Sequence, residues 1–261
     1  MNINFKDKNI IVVGGAGLIG SAVCCELAES EANIIILDIN DKALKTLCQK
    51  IKKRVKNQKI VFKVVNAARE KEVKKLIPLI NKYFSGKIHG LVNCVQYKST
   101  SFFHDIRKVQ LEELEDIFEA NVFSVFFLFK HLFSFLKKAG NSSIVNFSST
   151  YAIVSPNPAI YKGTKMGCPA TYVATKGAIH SLTKYLASYF AKDNIRVNSV
   201  TPHGVFDKHE KKFIENFSKF SPMGRMSLKE EVVPAVLFLL SDKSTYITGA
   251  NLKIDGGWTA W

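Results

Sequence analysis

Tyr172 and Lys176 stand four residues apart in the stretch Tyr-Val-Ala-Thr-Lys-Gly-Ala, at the start of a long apolar-periodic run. On a helix, that spacing puts both side chains on one face. A phenol ordinarily titrates near 10, and a fixed ammonium beside it favours the phenolate. Such a pair can exchange a proton with an alcohol near neutral pH. A second Tyr-x-x-x-Lys, Tyr161 and Lys165, lies upstream and nearer to Ser149. Gly163, Gly167 and Pro169 make its surroundings a poor helix. The run after Tyr172 continues to about Ala191 without proline. Rigid support is what a catalytic pair needs, so Tyr172 and Lys176 are the expected pair. Residues 155–170 then read as an insertion over the active site, with Tyr161 and Lys165 available to touch substrate.

A second constellation lies near the N-terminus. The apolar run Asn9 to Val13 reads as a buried parallel strand, and Ser21 to Ala28 reads as a helix. Between them lies Gly15-Ala-Gly17-Leu18-Ile19-Gly20, preceded by Gly14. Glycines let a backbone turn tightly against a pyrophosphate, and the helix N-terminus adds amide donors and a favourable dipole. The strand–turn–helix context is what such a fingerprint requires. The next apolar run, Asn33 to Leu37, ends in Asp38. A carboxylate there accepts hydrogen bonds from an adenosine ribose and repels a 2′-phosphate, so NAD(H) is expected over NADP(H).

The elements that must position these residues alternate. Strands are predicted near 9–13, 33–37, 60–65, 89–93, 143–148, 195–200 and 251–254. Helices are predicted near 18–29, 40–54, 70–84, 112–137, 172–191, 208–217 and 228–240. This order predicts an α/β fold over 1–261: one Rossmann-type, doubly wound parallel sheet of about seven strands with helices on both faces. Ligands of such sheets bind beyond the carboxyl ends of the strands. Gly14 to Gly20, Asp38, Asn93, Ser149 and Pro202 all follow predicted strand ends, so they should converge on one cleft.

Together these features make the chain resemble the short-chain dehydrogenase/reductase family in its single-domain form, over essentially all 261 residues. Leu91-Val-Asn-Cys-Val95 stands where the family has a strand ending in Asn-Asn-Ala-Gly. Asn121 takes the place of its catalytic Asn, and Ser149, at the end of Ser142-Ser-Ile-Val-Asn-Phe-Ser-Ser149, that of its catalytic Ser. Asn194 to Pro202 matches the strand leading to the nicotinamide, and Ile247-Thr-Gly249 and Asp255-Gly-Gly257 match the C-terminal strand and its approaches. A narrower likeness, to flagellin modification protein A and related bacterial oxidoreductases, rests on Ile160 to Pro169 and on the terminus Asp255 to Trp261.

The resemblance implies roles. Tyr172 exchanges the proton with the substrate oxygen, and Ser149 hydrogen-bonds that oxygen. Lys176 lowers the Tyr172 pKa and holds the nicotinamide ribose, and Asn121 holds a water linking Lys176 to solvent. The cofactor wall comprises Gly14, Gly15, Gly17, Leu18, Ile19 and Gly20, with Asp38, Asn66 and Ala67 towards the adenosine. Cys94 belongs to the adenosine-side wall and Asn93 to the strand end before it, and Tyr172, Lys176, Pro202 and Val205 complete the cofactor site towards the nicotinamide. Ser149, Tyr161, Lys165 and His203 are the substrate candidates, with 204–222 as a lid. The chain departs from the family at several positions. Leu18 replaces a Gly, Cys94-Val95-Gln96 replaces Asn-Ala-Gly, Asn66 stands where an Asp is common, and His203 replaces a Gly.

Composition narrows the function classes. A chain of 261 residues that is 47% hydrophobic is enough for one α/β domain. The net charge of +15 raises the question of nucleic acid, but only five of the 37 cations are Arg, and the Lys are scattered apart from Lys50 to Lys59. A Lys-rich solvated surface is the expected reading, with no nucleic-acid partner. The N-terminus has no apolar h-region, and Val122 to Phe129 is cut off by Lys130 and His131, so neither signal peptide nor membrane span is expected. Five cysteines without paired spacing fit a reducing cytoplasm, and neither they nor the dispersed His have metal-ligand spacing.

The function expected is an NAD-dependent oxidoreductase moving hydride between nicotinamide and a secondary alcohol or ketone. The expected substrate is a sugar, sugar phosphate or nucleotide sugar for surface glycans. A small ketone or 3-oxoacyl thioester is the alternative, and a non-catalytic NAD-binding regulatory protein is the competing class. Lys162, Lys165, Lys208, Lys211 and Lys212, offset in part by Asp207 and Glu210, read either as a solvated surface or as receivers of a phosphate or carboxylate, and on the second reading the substrate is anionic. The phenylalanines of Asn121 to Lys137, with Ile179, Leu182, Leu186 and Tyr189, are too many for one inward stripe. With the resemblance, they imply a homodimer or homotetramer.

Overall fold

The computed structural model describes residues 3–55, 59–98 and 102–260. Lys56 to Gln58, within the basic run, and Trp261 lie outside the described residues. The chain runs β1 (Asn9–Val13), α1 (Leu18–Glu29), β2 (Asn33–Asp38), α2 (Asp41–Arg54) and β3 (Ile60–Val64). After α3 (Glu70–Lys74), α4 (Leu76–Phe84) and β4 (Gly90–Asn93) come α5 (Leu111–Phe118), α6 (Ser124–Ala139) and β5 (Ser142–Phe147). Then follow α7 (Ala170–Phe190), β6 (Ile195–Pro202), α8 (Lys211–Phe220), α9 (Lys229–Leu240) and β7 (Asn251–Ile254). The seven strands form one sheet in the order β3-β2-β1-β4-β5-β6-β7, and every pairing is parallel.

Alternation along the strands builds two cores. Ile10 and Val12 face a layer containing Val23, Leu27, Leu47, Val236 and Leu240 of α1, α2 and α9. Ile11 and Val13 face a layer containing Ile80, Leu128, Leu132, Ile179 and Leu186 of α4, α6 and α7. Both faces of the sheet are therefore dry, which is why its inner strands read as unbroken apolar runs. The direction of winding reverses between β1 and β4, which opens a crevice beyond the strand ends.

Three predicted helices differ from the structure. The helix expected over 70–84 breaks at Lys75. Pro78 has no amide to give the Lys74 carbonyl, and its ring crowds that carbonyl. The helix expected over 112–137 is interrupted by a π turn over Glu119–Phe123, which carries Asn121. The helix expected over 208–217 starts later, at Lys211, because Lys208 takes a left-handed φ of 53°. The run Leu111–Ala139 is long and apolar enough to cross a bilayer by length and composition. Its inner side nonetheless packs on the sheet through Val125, Leu128, Leu132 and Leu136, as a core helix does.

Candidate active site

One cavity of about 1200 Å³ lies along the carboxyl ends of the strands. At one end sits the glycine turn. Gly14 has φ 71°, a conformation that a β-carbon disfavours. A β-carbon on Gly20 would lie 2.3 Å from the Gly14 carbonyl oxygen, so α1 can begin only where this turn has no side chain. Gly14, Gly17, Leu18, Ile19 and Gly20 line the cavity. Gly15 does not. It packs behind the turn, where a β-carbon would meet the Ile36 side chain at 2.6 Å. The cradle therefore has the shape that a pyrophosphate needs, and the residues present fit a nicotinamide dinucleotide.

Asp38 closes that end from the tip of β2. One carboxylate oxygen accepts from the Ala16 amide at 2.9 Å and the other from the Asn40 amide at 3.0 Å. These bonds fix the carboxylate at the cavity wall, with lone pairs left for a diol. Asn66 and Ala67 line the same end. The Asn66 side-chain oxygen accepts from the Ala68 amide at 2.9 Å, which turns it towards its own backbone. Cys94 lines the middle, and burial pushes its thiol above the usual range. Asn93, by contrast, is buried behind the wall and accepts from the Val95 amide at 3.4 Å.

Tyr172 enters from the first turn of α7, which begins immediately after Pro169. Lys176 follows one turn later. It is buried, and its ammonium donates to the Phe147 carbonyl at 2.8 Å while lying 5.6 Å from the centre of the Tyr172 ring. Burial pulls the Lys176 pKa down to about 8. Burial raises the Tyr172 phenol, and a hydrogen bond with Ser149 lowers it in part. In the structure, then, the lowering influence on Tyr172 comes from Ser149, where the sequence pointed to Lys176. Ser149 reaches this position because β5 ends at Phe147, and its hydroxyl accepts from the Tyr151 amide at 3.3 Å.

Asn121 is buried and does not line the cavity. Its side-chain oxygen accepts from the Tyr97 backbone amide at 2.9 Å, and its side-chain amide nitrogen donates to the Thr175 hydroxyl at 3.4 Å. A π turn leaves backbone carbonyls without their regular helical partners, and such turns collect at functional sites. Here the turn ties the loop after β4 to the helix that carries Tyr172 and Lys176.

The far end of the cavity is walled by the 155–170 segment and by α8. Tyr161, Lys165 and Met166 line it from the first, and Phe213 and Phe217 from the second. The two segments are bonded to each other. Asn216 donates to the carbonyls of Ile160 at 3.2 Å and Lys162 at 2.9 Å, and Glu210 accepts from the Lys165 amide at 3.0 Å. Ile160, Phe213, Phe217, Met226 and Trp258 form a small apolar cluster of their own. Tyr161, at the end of a short 3-10 turn, and Lys165 are thus placed at the far end of the cavity, outside α7 and apart from the Tyr172 pair.

His203 also lines this end, next to Pro202, Gly204 and Val205. Its Nδ1 is bonded to the Thr150 hydroxyl at 2.5 Å, its ring lies 4.2 Å from Trp258, and burial lowers its pKa to about 4. It is therefore neutral at physiological pH. The glycine expected at 203 stands one residue later. Gly204 has φ 52°, and a β-carbon there would run into the Phe217 ring at 2.1 Å. Sequence reasoning missed Tyr151, two residues beyond Ser149, and the aromatic side of α8. The only signal was the aromatic content of those stretches. Among the described residues, no group of three metal-ligating side chains converges.

A family model described as enoyl-(acyl carrier protein) reductase matches residues 15–259. A glucose and ribitol dehydrogenase homolog of Oryza sativa subsp. japonica is 31% identical, over 97% of this chain and 86% of the relative. The post-translational flagellin modification protein A of Campylobacter coli is 27% identical, over 97% of this chain and 98% of the relative. Among solved structures, a short chain dehydrogenase from Leptospira borgpetersenii serovar Hardjo-bovis with bound NAD+ superposes with a TM-score of 0.86 at 30% identity, covering 98% of this chain and 94% of that one. The fold and site define an oxidoreductase acting on CH–OH groups. The chain belongs to the short-chain dehydrogenase/reductase family.

Proposed function

We propose that this protein is an NAD-dependent dehydrogenase or reductase of a polyhydroxylated, sugar-like secondary alcohol or ketone. The observation that carries this reading is the single cavity onto which the glycine turn, Asp38, Ser149, Tyr172 and Lys176 all open. When bound, the nicotinamide supplies the hydride acceptor or donor. Ser149 holds the substrate oxygen, and Tyr172 takes or returns its proton. Lys176, anchored on Phe147, orients the ribose side of the site, and Asn121 braces it through Thr175. The likeness to the ribitol dehydrogenase homolog and to flagellin modification protein A supports a carbohydrate substrate for surface glycans. The measurement that tests the reading is NAD+-dependent oxidation across a panel of sugars, polyols and cyclic alcohols. NAD+ binding without turnover of any panel member would favour a nucleotide-binding regulatory protein.

Asp38 supports NAD over NADP, because a 2′-phosphate beside a fixed carboxylate is repelled. NAD(H) is expected to bind at least about tenfold more tightly, roughly 1.4 kcal/mol. Asp38→Ala should narrow that gap, as read by calorimetric titration of both cofactors. Equal affinities in the unaltered protein would remove Asp38 from this role.

The substrate end carries Lys98, Lys165 and Lys208, and Lys162, Lys211 and Lys212 lie off the cavity wall. Among the described residues, none of the three lining lysines is in an ion pair, and they suit a phosphate or carboxylate. On this reading, kcat/KM falls as salt rises through the screening range. Lys165→Ala raises KM for a phosphorylated sugar more than for its neutral counterpart. Salt-insensitive kinetics with equal rates for both would point to a neutral polyol or ketone. The segment 204–222 acts as the lid, and the five free cysteines suit a cytoplasmic enzyme.

Pairing of copies is part of the same proposal. Phe123 and Phe126 on the π turn and α6 are 43% and 53% exposed, and Tyr185 and Tyr189 on α7 are 58% and 55% exposed. Phe129, Ile179 and Leu186 of the same helices turn inward. A second copy covers the outward set. Sedimentation at micromolar concentration should give at least twice the 29.2 kDa chain mass, and a mass near that of one chain would refute the pairing.

A further inference from the structure

Two tyrosines at the substrate end are bonded to each other. The Tyr151 and Tyr161 hydroxyls lie 2.5 Å apart, and both side chains line the cavity. Tyr151 comes from the short turn after Ser149, and Tyr161 from the end of the 158–161 turn in the insertion. Two phenols carry two hydrogens and together spend one on their mutual bond. Among the described residues, no protein atom takes the second hydrogen. The pair therefore offers one donor hydrogen and free lone pairs to whatever fills the cavity.

Both rings pack against aromatic neighbours that line the same cavity. The Tyr151 ring stands edge-on to Tyr172 at 6.3 Å and to His203 at 5.7 Å, and His203 is itself tied to Thr150. The Tyr161 ring lies 5.7 Å from Phe213 of α8. Phe102, Met166 and Phe217 add apolar surface to the same wall, beside the polar side chains of Lys165, His203 and Glu210. A wall of this kind accepts the faces of a ring. Within it, a polar pair with an unspent hydrogen selects for oxygen at one place.

We infer that Tyr151 and Tyr161 form a two-hydroxyl anchor for a second oxygen of the substrate, separate from the oxygen held by Ser149 and Tyr172. The inference rests on the dehydrogenase reading and narrows it: the substrate carries at least two oxygens across a ring-sized span, as a polyol, hydroxyketone or dione does. Burial pushes Tyr151 up to about 12 and Tyr161 higher still, so the anchor is neutral and donates a hydrogen bond at working pH. A substrate lacking the second oxygen leaves that hydrogen without its partner, which is how polar pockets reject simpler analogues.

The test compares cyclohexanol with trans-1,2-, 1,3- and 1,4-cyclohexanediol by calorimetric titration, with and without saturating NAD+. At least one diol should bind about tenfold more tightly than cyclohexanol, the worth of one well-made hydrogen bond. Tyr151→Phe and Tyr161→Phe each keep one hydroxyl and should narrow the gap. The double variant should abolish it, with NAD+ affinity unchanged as the control for folding. No diol preference in the unaltered protein, or a preference that survives in the double variant, overturns the inference. If NAD+ does not bind but the tyrosine-dependent preference remains, the dehydrogenase reading fails and the anchor stands.

Discussion

Tyr172→Phe is expected to lower turnover on the order of a thousandfold, the usual worth of a positioned proton donor or acceptor, and to leave NAD+ affinity nearly unchanged. The phenol contributes a proton to the chemistry and a ring to the wall. Phe keeps the ring, including its edge contact with Phe102 at 5.6 Å. Lys176→Ala should damage both turnover and NAD+ binding, because that ammonium is the buried link between the helix and Phe147. Tyr161→Phe should act mainly through KM. Loss of turnover in Tyr161→Phe with a mild Tyr172→Phe would assign the chemistry to the insertion instead. The pH dependence has a defined sign. Alcohol oxidation needs Tyr172 as proton acceptor and rises with pH, whereas ketone reduction needs the phenol and falls. Ser149→Ala should move both limbs to higher pH, since the hydrogen bond that lowers the Tyr172 pKa is lost. Single-turnover rates measured across pH in both directions supply the check.

Gly20→Ala should cost cofactor binding on the order of a hundredfold, about 2.7 kcal/mol. The added methyl would sit 2.3 Å from the Gly14 carbonyl oxygen, and this contact is with backbone, which cannot rotate aside. Gly14 and the start of α1 must therefore separate, which spoils the amide cradle at the helix N-terminus. Nearby Ser21→Ala removes only a hydroxyl bonded to the Leu18 carbonyl at 3.0 Å and should bind NAD+ almost normally. Titration of the two variants side by side separates a specific clash from general damage to the turn. Equal, near-native affinities would refute the clash.

What the sequence made legible followed from burial. Asn9–Val13 and Asn33–Asp38 are inner strands covered on both faces, so their apolar runs mark their ends to within a residue. Gly14, Asp38, Ser149 and Tyr172 were readable because each sits where a strand or helix must begin or end. The misses have equally local causes. Apolar periodicity does not reveal one extra residue in a helical turn, so the π turn at Asn121 passed as ordinary helix. Pro78 lay inside an apolar stripe that masked its effect on the Lys74 carbonyl. Gly15 and Asn93 belong to the right motifs yet face away from the cavity, because a motif fixes backbone shape before it fixes which side is wet. Tyr151 lies in a stretch without periodicity, where only the folded chain reveals its partner.

The bonds from Asn216 and Glu210 across to the 155–170 segment have a consequence for inheritance. Two segments far apart in sequence share one set of hydrogen bonds and one apolar cluster. A foreign loop grafted at 155–170 alone would strand the Asn216 amide and leave Phe213 and Phe217 facing an ill-fitting neighbour. New specificity in this scaffold must therefore travel as a matched cassette of both segments, with the sheet beneath left as it is.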